Sequence, residues 1–135
     1  MRIMCDTNVI ISGILFPNSV PNKVLRHVAE QERLVLATYV IDELRRVFQK
    51  KFPDKTDSLE RYLEQGEFEL FVTPKEWQLV VPLIRDLNDK PVLASAILAD
   101  VDILITGDKD FEDVVINRPI IQTPAAFLKK LKTPN

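Results

Sequence analysis

Short apolar runs of strand length alternate with helical stripes along the whole chain, and this alternation constrains the fold most. Arg2–Cys5, Leu34–Ala37, Phe68–Thr73, Val101–Thr106 and Pro119–Gln122 read as strands. Between them apolar residues recur at helical spacing: Val20, Val24 and Val28 with Leu25, then Ile41, Leu44, Val47 and Phe48. Strands that alternate with helices pair in parallel, through right-handed crossovers, and carry helices on both faces. The expectation is an α/β fold: a three-layer α/β/α sandwich around a central parallel sheet, in one domain spanning residues 1–135.

The punctuation agrees with this. Thr7 to Leu15 forms a short helix that Phe16-Pro17-Asn18-Ser19 breaks. Ser19 caps the next helix, with Pro21 in its first turn. Thr38 is expected to cap the helix that ends at Lys50-Lys51-Phe52-Pro53. Asp54 to Gln65 is a more polar helix with Leu59, Tyr62 and Leu63, stopped by Gly66. Thr73-Pro74 starts a helix through Trp77, Val80, Val81 and Ile84, which Pro82 shortens or kinks. A polar connection, Arg85 to Asp89, leads to a helix from Lys90 through Ala99 whose alanines permit close packing on a sheet. Thr123 caps a last helix with Phe127, Leu128 and Leu131.

Two scarcities narrow the chemistry. The single cysteine, Cys5, rules out an internal disulfide and sits among apolar neighbours, as an inert thiol does. The single histidine, His27, lies on a helix beside polar residues and has no partners for a zinc site or a serine triad. Catalysis in such a chain falls to carboxylates, hydroxyls, lysines or a metal held by oxygen. A net charge of −2 argues against a protein built only to coat nucleic acid. No signal peptide or membrane-length apolar run is visible, so a cytoplasmic protein without membrane contact is expected.

Acids stand where a parallel sheet puts its chemistry. Asp6 follows the first strand, Glu43 lies about one turn into the helix after the second, and Asp108 follows the strand Val101–Thr106. Strand-to-helix turns of a parallel sheet share one edge, so these three point to a common rim. Asp89 opens the alanine-rich helix and joins them if that helix packs nearby; Asp110 is a fifth candidate. Asp100 and Asp102 enter their strand at the opposite edge. Crowded carboxylates raise one another's pKa values, and hard cations such as Mg²⁺ or Mn²⁺ relieve that. Two such ions about 4 Å apart can activate a water and stabilise the leaving oxygen of a phosphodiester. Each acid also has a plain structural role open to it. Asp89 is a good N-cap, Glu43 or its neighbour Asp42 complements a helix dipole, and Asp108 and Asp110 suit a turn after Gly107.

Four pieces in order give the chain a family resemblance: Asp6-Thr7-Asn8-Val9 with Ser12; Glu43-Leu44; Asp89 followed by Val92-Leu93-Ala94-Ser95-Ala96; and Ile105-Thr106-Gly107-Asp108-Lys109-Asp110-Phe111. Over nearly its full length it resembles the PIN-domain ribonucleases, in particular the stand-alone prokaryotic toxins of toxin–antitoxin pairs (VapC-like). The resemblance implies a central parallel sheet of about five strands and a Mg²⁺- or Mn²⁺-dependent endoribonuclease that cleaves RNA. It implies catalytic, metal-ligating roles for Asp6, Glu43, Asp89 and Asp108, with Asp110 as a further metal ligand. Asn8, Ser12 and Thr106 would line the site. It further implies an antitoxin partner and a homodimer.

Arg45, Arg46 and Lys109 stand near the acidic motifs and are the candidates for phosphate contact, ahead of Lys23, Arg26, Lys50 and Lys51. Phe16, Phe52 and Phe71 are apolar candidates for an interface, with core packing as the competing role. A receiver-type phospho-acceptor would need an acidic pair near the start and a phosphorylatable Asp after a middle strand, a pattern this chain does not fit; two further rival readings exist. A haloacid-dehalogenase-like phosphatase needs an acid two residues after the first, where this chain has Asn8. The other is a PIN-like module that binds nucleic acid or protein without cleaving.

Overall fold

The computed structural model describes residues 1–77 and 90–132, and those residues form the expected sandwich. The five strands are β1 (Arg2–Cys5), β2 (Arg33–Ala37), β3 (Glu69–Phe71), β4 (Ile103–Ile105) and β5 (Ile120–Gln122). The helices are α1 (Thr7–Leu15), α2 (Val20–Gln31), α3 (Thr38–Lys51), α4 (Thr56–Gln65), α5 (Lys90–Leu98) and α6 (Pro124–Lys132). All strand pairs are parallel, in the order β3-β2-β1-β4-β5. Met4, Leu36 and Leu104 are fully buried, and so are their neighbours Cys5, Val35 and Ile105. Consecutive residues of a strand point to opposite faces. Both faces of the inner sheet are therefore covered, which is why these strands are continuously apolar rather than alternating.

The order of strands sets the position of the site. From the central β1 the chain moves outward to β2 and β3, then returns to place β4 against the other side of β1. The winding reverses between β1 and β4. Their register pairs Cys5 with Ile105, so Asp6 and Thr106 emerge side by side at the carboxyl end of that seam. This is the topological switch point where open α/β sheets collect ligands.

Local chemistry accounts for most boundaries. Asp6 caps α1 by accepting the Val9 N–H at 2.9 Å, and Ser19 caps α2 by accepting from Asn22 at 3.2 Å. Thr123 accepts the Ala126 N–H at 3.0 Å at the head of α6. Two expectations are corrected. Thr38 is the first residue of α3, not its cap; its hydroxyl accepts the Thr73 N–H at 3.0 Å and so ties α3 to the end of β3. Asp54 belongs to a 3₁₀ turn, Pro53–Lys55, and α4 begins at Thr56. Leu131 is exposed, whereas Phe127 of the same helix is buried against the core. The helix expected from Thr73-Pro74 through Ile84 and the connection to Asp89 extend outside the described residues. Among the described residues, no helix is long and apolar enough to cross a membrane.

One contact between α1 and α2 is tight enough to test. A Cβ added at Gly13 would lie 2.3 Å from Leu25 Cδ1, and Leu25 is buried. Gly13→Ala is therefore expected to overpack that contact and destabilise the protein by about 1–3 kcal/mol, measured as a lower urea midpoint with unchanged slope.

Candidate active site

At the β1–β4 seam, Asp6, Thr7, Asn8, Glu43, Val47, Val92, Asp108 and Phe111 line a cavity of about 100 Å³. The sheet supplies Asp6 and Asp108, and α3 supplies Glu43. The α3 face settles which of two neighbouring acids turns inward: Glu43 is half-buried, and Asp42 is exposed.

Asp6 is only 7 % exposed. One carboxylate oxygen accepts the Val9 N–H at 2.9 Å and the other accepts the Thr106 hydroxyl. Its backbone N–H continues the sheet by donating to the Ile105 carbonyl at 3.0 Å. Burial pushes the Asp6 carboxyl above its ordinary value, the Thr106 and Val9 bonds oppose this, and Asp108 and Glu43 add to it. Among the described residues, the charged groups acting on Asp6 are thus both acids. A buried carboxylate facing two others fits a cation better than any protein partner that the described residues supply.

Thr106 is a hub. It is 2 % exposed, its hydroxyl donates to Asp6, and its Oγ1 accepts the Asp108 N–H at 3.1 Å. Asp108 in turn caps the 3₁₀ turn Lys109–Phe111, its Oδ1 accepting the Asp110 N–H at 2.9 Å. Asp110 is half-buried and is not among the side chains that line the cavity. Glu43 is held from both sides: Thr7 donates its hydroxyl to Oε1, and Tyr39 donates to Oε2 at 3.5 Å. Burial raises the Tyr39 hydroxyl above its ordinary value; Glu43 adds to this, and Arg46, which bonds the same hydroxyl, opposes it.

Thr7 and Tyr39 are site residues that sequence reading missed. Tyr39 precedes Glu43 by four positions, one helical turn, and that spacing was the available signal. Among the described residues, no three carboxylate, thiol or imidazole groups stand close enough to cage a metal ion as they are placed. Asp89 lies outside the described residues.

The sequence matches the family model described as PIN domain over residues 2–110. The chain belongs to the PIN domain family. This PIN domain also matches a solved chain of VapBC2 from Rickettsia felis, determined bound to a DNA fragment from its promoter. The two are 19% identical with a TM-score of 0.71, and the match covers 91% of this chain and 98% of that one. At such identity the likeness shows the fold, a PIN-like sandwich with a five-stranded parallel sheet. No curated protein matches the sequence.

The remaining sequence candidates are spread more widely in the PIN domain. Asn8 is exposed at the cavity rim. Ser12 is half-buried one turn further along α1, away from the cavity lining. Arg45 points to α4, where Glu60 accepts two bonds at 3.0 and 3.1 Å. Arg46 is exposed beside Tyr39, and Lys109 is exposed in the turn after Asp108. Lys23, Arg26, Lys50 and Lys51 lie on exposed helix faces. Cys5 is fully buried, and burial drives its thiol well above its ordinary value, as expected of an inert packing residue. Phe16 is exposed, and Phe52 and Phe71 pack partly against the core.

Proposed function

We propose that this PIN domain is a Mg²⁺- or Mn²⁺-dependent endoribonuclease and the toxin of a toxin–antitoxin pair. The observation that carries the nuclease reading is Asp6: a buried carboxylate whose charged neighbours, Asp108 and Glu43, are also acids, at the switch point of the sheet. The likeness in fold to a VapBC2 chain supports the toxin role and an antitoxin partner.

In this reading Asp6, Glu43 and Asp108 hold the cation, with Asp89 completing the set and Asp110 assisting from the turn after Asp108. When bound, a divalent cation lowers the pKa of a water and neutralises charge on the departing oxygen. The protein's own part is orientation. Thr106 and the Val9 N–H fix both oxygens of Asp6, and Thr7 and Tyr39 fix Glu43. Such partners set ligand geometry and affinity. Asn8 at the rim and Ser12 behind it serve as polar lining. Arg46 and Lys109 are placed to meet phosphates; Arg45, paired with Glu60, is the weakest of the three candidates. Homodimerisation and a cytoplasmic location complete the proposal.

The test is a cleavage assay. Purified protein with Mn²⁺ is expected to cut single-stranded RNA, and EDTA is expected to stop it. No cleavage under any divalent metal would leave a binding module in place of a nuclease. Co-expression with an adjacent small open reading frame should relieve growth arrest if the toxin role is right.

A further inference from the structure

A second cavity, of about 330 Å³, opens next to the carboxylate site between the turn after β4 and strand β5. Its volume lies at the small end of the range for ligand pockets, about 300–1,000 Å³. The two cavities share Asp108 and Phe111. Apolar side chains lie on one part of the lining: Phe111, Val114, Ile116, Pro119 and Ile121. Polar groups supply the rest, chiefly Glu112, Asn117 and Gln122. An apolar bed with a polar margin suits a flat body with apolar faces and hydrogen-bonding edges, as a nucleobase is.

The polar margin is biased. Asp108 and Glu112 offer carboxylates, which only accept hydrogen bonds when ionised. Gln122 adds an unmet need: its side-chain Oε1 is buried and has no donor. The Gln122 backbone carbonyl accepts the Thr106 N–H at 2.9 Å and fixes this wall to the hub that holds Asp6. Buried polar atoms are normally paired, and an orphan calls for an explanation. A ligand donor reached by a turn of the Gln122 side chain supplies one. Gly107 lines the larger cavity and is exposed, with open space where a Cβ would sit.

We infer that this cavity receives a nucleobase adjoining the scissile phosphate, and that Glu112 selects bases bearing an exocyclic amino group. Its meaning as a specificity pocket rests on the nuclease reading above. Cytosine presents its amino group as a donor pair. Uracil presents two carbonyl oxygens flanking one N–H, and a carboxylate repels them; the Gln122 amide, with both an acceptor and a donor, serves either base.

The experiment separates the two readings by using neutral nucleosides and no metal. Metal-free protein in EDTA is titrated with cytidine and with uridine, followed by backbone amide NMR. Shifts are expected at Gly107, Phe111 and Gln122, with cytidine bound about threefold to tenfold tighter, the worth of one hydrogen bond. In Glu112→Leu the two nucleosides should bind alike, whereas Gln122→Leu should weaken both and retain the preference. Amide spectra of each variant verify the fold. The inference is overturned if cytidine and uridine bind alike in the wild type, or if their shifts fall outside this cavity. Cytidine binding here without any RNA cleavage would sink the nuclease reading and keep the base pocket. Metal-dependent cleavage without the preference would do the reverse.

Discussion

Asp6→Asn is expected to reduce Mn²⁺-dependent RNA cleavage by about 100-fold or more, and to make the metal-free protein more stable at neutral pH. The two effects have one cause. Asp6 is nearly excluded from water and faces Asp108 and Glu43, so its carboxyl holds its proton more tightly in the folded chain than in the unfolded one. A raised folded-state pKa contributes stability that is fully present below the unfolded value of 3.8 and is lost as pH rises through the folded value. Well above that unfolded value, the Asp6 carboxyl therefore costs stability. Asparagine keeps an oxygen for the Val9 N–H and removes the charge, while its amide can donate to Thr106 Oγ1. Urea denaturation in EDTA should show the variant's advantage at pH 7 and its decline on acidification toward pH 4. Adding Mn²⁺ should stabilise the wild type and leave the variant nearly unmoved. A variant less stable than wild type at pH 7 in EDTA would show that the Asp6 charge is not a burden, and the cation argument would lose its footing.

Thr106→Val is the second large effect, and it acts without touching a charge. Valine keeps the shape of threonine but withdraws the hydroxyl that donates to Asp6 and accepts from the Asp108 N–H. Both acidic positions then lose an orienting bond at once. Groups that orient metal ligands typically contribute 10–100-fold in affinity or activity, and about that loss is expected in Mn²⁺ affinity by calorimetry and in cleavage rate. Thr106→Ser restores the hydroxyl and should recover most of it. If Thr106→Val binds Mn²⁺ as the wild type does, Asp6 and Asp108 do not depend on this hub.

The sequence carried the layers of this fold because burial on both faces leaves its mark directly: the inner strands are unbroken apolar runs. It could not carry the strand order. That β4 returns to the far side of β1 depends on pairing across about 100 positions, and no local pattern records it. The candidate site was legible to the extent that it follows strand ends, which is why Asp6 and Asp108 were expected on one rim; Thr106 entered through the family resemblance, and the structure puts its hydroxyl on Asp6. Glu43 was placed on the same rim by its position one turn into the helix after β2, with Asp42 left open as an alternative; only the packing of α3 shows that Asp42 turns to solvent. Partnerships across elements were invisible. Thr7 bonds Glu43 across 36 positions, and Arg45 is claimed by Glu60 because α3 and α4 lie side by side. Thr38 misled for the same reason: it had the right chemistry for a cap, but Thr73 offered its hydroxyl a partner in another strand's exit.

The claim that organises the rest is that the acids at the β1–β4 seam bind a divalent cation. Anomalous diffraction from crystals soaked in Mn²⁺ tests it most directly. The predicted result is a peak in direct coordination of Asp6 and Asp108, with Glu43 within reach. A peak held by other residues, or none at Mn²⁺ concentrations that support cleavage, would contradict it.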